Sequence, residues 1–216
     1  VIAKGEHETL LRSYNIFETI YYMMISIVFS CTYLLIMPFI SIYTVNMTDA
    51  NYILPILAKM FIVVGIANNI RIPSQTLVNS AGHFKETKSR AVIEMTLNVV
   101  GQVTFGYLYG LNGVLLGCVI SYSYRTLDFI FYANKRILQK SSKMTFIKLF
   151  VNLISSILVV SVIHLLINPN IINYYQWIKY GFLYLIIITI FIVLVNCILD
   201  RKTMNSITEI FKRLAK

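Results

Sequence analysis

Long apolar runs separated by short polar segments organise this sequence. Six stand out, at roughly 17–43, 53–80, 91–109, 113–133, 147–167 and 177–199. Each is close to or above the about 20 residues that a helix needs to cross a hydrocarbon core. The third is short and the second long, which predicts tilt and kinking without fixing an angle. Gly110, Leu111, Asn112 and Gly113 link the third and fourth runs so tightly that these must form an antiparallel hairpin. The pattern predicts an all-α protein, a polytopic transmembrane bundle of about six helices. No connecting segment is long enough to hold a soluble domain. After the last run, residues 200–216 alternate Met204, Ile207, Ile210, Phe211 and Leu214 with charges. That is the pattern of a short amphipathic helix on the inner leaflet, or of a frayed polar tail.

Polar residues inside the runs fall on helical stripes, because positions three and four apart share a face. The second run carries Asn68, Arg71, Gln75 and Asn79, and the third carries Glu94, Asn98 and Gln102. The fourth has Ser121, Arg125, Asp128 and Tyr132, and the first has Glu18, Tyr22, Ser26 and Ser30. The fifth offers only Asn152, Ser156 and, separately, His164, and the sixth Thr189 and Asn196. The first four helices are therefore expected to line a hydrated cavity, with the last two outside it, facing lipid. Pro73 removes a backbone hydrogen bond and should kink its helix, which is tolerated only against protein or a wet cavity.

A charge at mid-bilayer costs about 2.5–3.5 kcal/mol on insertion scales, so each needs a partner, a cavity or a route to the interface. Arg71 either faces the cavity or snorkels to the inner head groups. Arg125 and Asp128 either belong to a site or form a structural intrahelical pair. Glu94 is expected either to face the cavity or to pair with Arg90. Lys59, opposite the Asn68–Asn79 face, is expected to snorkel outward, and His164 to be a hydrogen-bonded residue rather than a proton relay.

Composition removes whole classes of function. Of 216 residues, 57% are hydrophobic and 13% charged, with a mean hydropathy of +0.72. Soluble proteins carry about 25% charged residues, so too few charges remain to solvate a globule. The net charge of +10 becomes informative once located. Fifteen of the nineteen Lys and Arg residues fall at the N-terminus (Lys4, Arg12), in two alternate loops, and in the tail. The loops carry Lys85, Lys88 and Arg90, then Lys135, Arg136, Lys140, Lys143 and Lys148. The opposite segments, 44–52, 110–112 and 168–176, contain none. The positive-inside rule then places both ends in the cytoplasm, with the basic residues against anionic lipid. No aromatic interleaving on a soluble face supports nucleic acid as a partner. Tyr174, Tyr175 and Trp177 read as an outer aromatic belt. Cys31, Cys118 and Cys197 are too scattered for a disulfide framework or a zinc site. Enzyme signatures such as Gly-x-Ser-x-Gly, a Walker loop or His-Glu-x-x-His are missing, so catalysis is not indicated. Val1 opens a charged stretch without a signal-peptide core, which reads as the middle of a longer protein.

The stretch 72–122, IPSQTLVNSAGHFKETKSRAVIEMTLNVVGQVTFGYLYGLNGVLLGCVISY, resembles the polysaccharide repeat-unit (Wzx-type, O-antigen or capsule) flippases. These belong to the multidrug/oligosaccharidyl-lipid/polysaccharide exporter superfamily. The residues carrying the resemblance are Pro73, Asn79, Gly82, Lys85, Thr87, Glu94, Asn98, Gly110, Gly113, Gly117 and Ser121. The resemblance implies the second lobe of a two-lobed exporter fold: residues 1–133 as lobe helices, 134–199 as two extra C-terminal helices, 200–216 as a cytoplasmic tail. A missing N-terminal lobe of the same protein would be its first partner, and polysaccharide polymerase machinery another. The implied function is flipping of undecaprenyl-diphosphate-linked oligosaccharide across the bacterial cytoplasmic membrane, without a cofactor or metal. On that reading Arg71 and Arg125 attract the pyrophosphate, and Asn68, Gln75, Asn98 and Gln102 bind sugar. Asp128 or Glu94 would hold the arginines or exchange a proton or sodium ion for cargo. The alternatives are a multidrug exporter of the same superfamily, a non-transporting membrane subunit, and a glycosyltransferase acting on lipid-linked sugars.

Overall fold

The computed structural model describes residues 6–167 and 169–214, leaving aside the side chains of 210, 211, 213 and 214. Among the described residues the regular structure is all helical, with no strand. Helix α1 spans His7–Tyr43, α2 Pro55–Ile70, α3 Ile72–Ser80, α4 Phe84–Tyr132, α5 Lys143–Leu166, α6 Tyr174–Leu199 and α7 Arg201–Leu214. A π-helical turn, Ala133–Ile137, ends α4. Five helical segments are long and apolar enough to cross a membrane: α1, α2 with α3, α4 with its π turn, α5, and α6. The chain is a multi-pass membrane protein. Because α4 folds back on itself, these five segments make six passes.

That fold-back occurs at Gly110, whose φ of +60° and ψ of −142° lie outside helical space. Side chains rarely adopt a positive φ, so glycine is the residue that turns there. Gly113, four residues before Gly117, serves close packing of the limbs. A Cβ on it would lie 1.8 Å from the Phe105 carbonyl oxygen, and one on Gly117 2.5 Å from the Gln102 nitrogen. The two limbs of α4 thus touch backbone to backbone, as small residues four apart permit.

The second run is broken where Pro73 stands. Pro73 has no N–H for the ladder, and α2 and α3 meet at Arg71. Helix α3 ends as expected at Gly82, with φ +73°. Gly82 N–H donates to Asn79 O at 3.0 Å and His83 N–H to Val78 O at 3.3 Å, the paired bonds of a Schellman stop.

Two apolar cores hold the bundle. One gathers Met23 and Leu35 of α1, Val159 and Ile163 of α5, Tyr184, Ile188 and Ile192 of α6, and Met204 and Ile207 of α7. The other joins Tyr14 of α1 to Leu77 and Val78 of α3 and to Phe129, Tyr132, Ala133 and Leu138 at the end of α4. That second core explains why α1 starts at His7, ten residues before its apolar run: Leu10, Leu11 and Tyr14 are needed there.

Three expectations change. Helix α5 does not stand outside the polar interior, because Thr145, Lys148, Asn152 and Ser155 are all buried. Across the α5–α6 interface, Asn152 and Asn196 exchange side-chain hydrogen bonds at 3.3 and 3.1 Å. The tail is helical, but the apolar face of its first half is taken by the bundle, with Arg12 also reaching Glu209 at 3.3 Å. Met204 and Ile207 therefore pack on protein and not on a lipid surface. Trp177 is more than a belt residue: its indole N–H donates to Leu35 O at 3.0 Å, pinning α6 to α1.

Candidate functional site

Four of the residues singled out on the sequence meet at one place. Arg71, at the α2–α3 joint, donates to Glu94 Oε1 on the first limb of α4. The other carboxylate oxygen of Glu94 lies 3.3 Å from Arg125 Nε on the second limb. Arg125 Nη1 in turn donates to Asp128 Oδ2 at 2.8 Å, one turn away on its own helix. The chain is completed by Arg90, 2.6 Å from Asp128 Oδ1. Three guanidiniums thus alternate with two carboxylates, an excess of one positive charge. Glu94 does not pair with Arg90, because α2–α3 packs against α4 and brings Arg71 to it instead. Neither does Arg71 snorkel: its guanidinium stacks over Tyr122, 5.2 Å from the ring centre. Arg125, 4% exposed, stacks 4.0 Å over Phe129, a contact strengthened by the absence of water.

The arginines are not saturated. The Nε–H groups of Arg71 and Arg125 and the Oε1 of Gln75 are buried without a hydrogen-bond partner. Arg125 Nε is near enough to Glu94 for charge attraction but outside hydrogen-bonding geometry. A buried unpaired donor costs about 1–3 kcal/mol, so such groups mark places where another molecule can bind.

Beside the network opens a cavity of about 400 Å³, lined by Gln75 and Asn79 of α3 and by Phe84, Lys85, Thr87, Lys88, Ala91, Arg125 and Phe129 of α4. It holds three cationic side chains, two amides and a hydroxyl, and no acid. Lys85 and Lys88 are exposed at its rim, while Arg125 forms its inner wall. The cavity lies at the end of the bundle where α3 stops and α4 begins.

The other candidates go elsewhere. Asn98 donates to Ser121 Oγ at 2.7 Å, and Gln102 donates to Asn98 Oδ1 at 2.5 Å and to Cys118 Sγ at 3.3 Å. These amides bind the limbs of the α4 hairpin to each other. Asn68 is half-buried and outside the network. Its neighbour Asn69 is the residue that engages, accepting from Tyr21 at 3.2 Å. Lys59 is exposed, its ammonium 5.7 Å above the Tyr33 ring. His164 is exposed in the last turn of α5.

A second polar cluster escaped the sequence reading. Lys148, counted there among loop charges, is 7% exposed and lies 3.4 Å from both Glu18 and Asp200. Its signal was present: Thr145, Lys148 and Asn152 continue one face of α5 at steps of three and four. Nearby, Lys140 donates to Asn15 Oδ1 at 2.7 Å, and burial lowers its pKa, against the raising influence of Glu18.

Set beside known proteins, the chain matches no family model, no curated protein and no solved structure.

Proposed function

We propose that this protein is a lipid-linked oligosaccharide flippase of the polysaccharide repeat-unit type, with both ends in the cytoplasm of a bacterium. The observation that carries the reading is the acid-free cavity walled by Lys85, Lys88 and Arg125. Its cations suit a pyrophosphate, and a guanidinium presents a fork that matches phosphate oxygens. The amides of Gln75 and Asn79 suit the hydroxyls of the first sugar, and the isoprenoid tail stays in the bilayer. A multidrug exporter for organic cations needs the opposite, an acidic apolar-walled pocket. The basic residues sit where the positive-inside rule puts the cytoplasm, so cargo enters from the inner leaflet.

In this mechanism Lys85 and Lys88 capture the anionic head at the cavity rim. Arg125, on the inner wall of the cavity, then binds it further in. Glu94 and Asp128 hold the arginine fork in place and keep the network's charge close to neutral when it is empty. The excess positive charge is what cargo neutralises.

The test is surface display of polysaccharide in cells that depend on this protein, with exposure of lipid-linked sugar measured in vesicles. Lys85→Ala combined with Lys88→Ala should lower both by tenfold or more at normal membrane abundance. Normal display in that variant sinks the reading.

A further inference from the structure

The foot of α1 holds a carboxylate that the transport network does not use. Glu18 is 0% exposed. Its Oε1 accepts from the Thr145 hydroxyl at 2.8 Å, and its Oε2 lies 3.4 Å from the Lys148 ammonium. Lys148 also reaches the Asn15 carbonyl at 3.4 Å and Asp200, at the α6–α7 joint, at 3.4 Å. Lys140 approaches from the segment before α5, and Asn134 of the π turn donates to Thr145 at 3.4 Å. Tyr14 and Tyr22 flank Glu18 on α1, the former bonded to Ser74 of α3 at 3.0 Å. Two carboxylates and two ammonium groups are therefore gathered in one place, Glu18 and Lys148 buried and Lys140 and Asp200 partly exposed. Ionisable groups within a membrane bundle are costly and mark ion and proton routes, and a buried pair is weak evidence of added stability.

One turn further along, a groove of about 280 Å³ opens between α1, α2 and α5. Its walls are apolar, including Ile62, Ile66 and Leu149, but hydroxyls run along it. Tyr22, Ser26 and Ser30 follow Glu18 on α1 at steps of four, and Asn152 and Ser156 follow Lys148 on α5 at the same step. The two stripes line the groove together and converge on the Glu18–Lys148 pair. Two of these hydroxyls, on Tyr22 and Ser30, have no hydrogen-bond partner, although the residues are only 2% and 4% exposed. Buried polar groups are nearly always partnered, and a roomy polar site is where water supplies the partner. The stripe is thus built to hold a file of water or hydronium ending one turn from a carboxylate.

The other intramembrane acids are differently placed. Glu94 faces Arg71 and Arg125, and Asp128 faces Arg90 and Arg125, so each is held between two guanidiniums. Glu18 instead meets the Lys148 ammonium at 3.4 Å and the Thr145 hydroxyl at 2.8 Å, with Lys140 near by.

We infer that Glu18 is a proton-binding site, loaded from the hydroxyl-lined groove by way of Tyr22 and Ser26. Hydronium in the groove gives its proton to Oε2 and remains as water, and no other bond changes. The cluster gains one positive charge. Lys148 is then left with Asp200 as its only carboxylate partner, so the proton transfers its hold from the foot of α1 to the joint between α6 and α7. The site is independent of what the protein carries.

Infrared difference spectra between alkaline and acidic buffer, on the full chain in phosphatidylethanolamine–phosphatidylglycerol vesicles, test this. Exposed carboxyls also protonate on acidification, so the signal sought is a separate C=O band at the higher frequency of a desolvated carboxyl. It should vanish in Glu18→Gln, shift in frequency in Glu18→Asp, and persist in Glu94→Gln and Asp128→Asn. Tyr22→Phe should keep the band and slow its appearance after a pH jump. Absence of the band from the unaltered chain overturns the proposal, as does a band that both Glu18 substitutions leave unchanged. Should Glu18→Gln not fold, the frequency shift in Glu18→Asp decides alone. The readout contains no oligosaccharide, so its failure leaves the flippase reading standing, and the reverse.

Discussion

Glu94 holds two arginines at once, and neutralising it should reveal how much the bundle depends on that. Glu94→Gln preserves shape while deleting one charge and one of the two acceptors, so the network goes from an excess of one positive charge to two. At an effective dielectric near 20, unit charges 3.3 Å apart attract by roughly 5 kcal/mol. Glu94 makes two such contacts, to Arg71 and Arg125. Most of that attraction offsets the desolvation of the ions, and breaking a buried pair by removing one partner costs about 3–5 kcal/mol net. Both partners are less than one-fifth exposed, so solvent screening does not reduce this to the value of a surface pair. Helix loss in a mixed-micelle denaturant titration should therefore show Glu94→Gln destabilised by about 3–5 kcal/mol. Adding Arg71→Met removes the cation left unpaired by the first change and should recover a large part of the loss. A Glu94→Gln effect below about 1 kcal/mol would refute the reasoning, as would a double variant that loses the sum of the two single losses.

Two further expectations rest on packing and pairing. Gly113→Ala sets a methyl against the Phe105 carbonyl at 1.8 Å, so the limbs of α4 must separate; spin labels near residues 101 and 117 should report a wider spacing, and unchanged spacing would refute the close contact. Asn152→Leu and Asn196→Leu each leave the partner's buried amide oxygen without its donor and should cost about 1–3 kcal/mol, whereas the double change should cost less than the sum, read from the same micelle titration.

The sequence carries the large features of this fold because the bilayer makes them obligatory. A crossing helix needs an apolar run, so all six predicted passes appear as segments or limbs close to their expected positions. The hairpin at Gly110 was visible for the same kind of reason, since so short a link can only reverse direction. Stripes of polar residues were legible from helical spacing, and Arg71, Glu94, Arg125 and Asp128 do lie together. What spacing does not contain is which face meets which. It left Glu94 between the cavity and the neighbour in its own helix, Arg90, when the packing of α3 brought Arg71. It counted Lys148 with the loop charges, because nothing local says that α1 and the α6–α7 joint will enclose it. Asn68 and Asn69 differ by 100° around one helix, and only tertiary contact selects the second.

The cluster at Glu18 also has a history in time. Lys148 lies 130 residues beyond Glu18 in the chain, and Asp200 lies farther still. At about 5–20 residues per second of synthesis, roughly 7–26 s separate the emergence of the acid from that of its ammonium partner. Throughout that interval α1 carries a carboxylate with no counter-charge. The newborn helix must therefore keep its first turns near water, and it can settle to full depth only when α5 arrives. The pair thus acts as a clasp on assembly: a bundle interrupted before α5 keeps an unmatched charge at the foot of its first helix, which membrane quality control can detect.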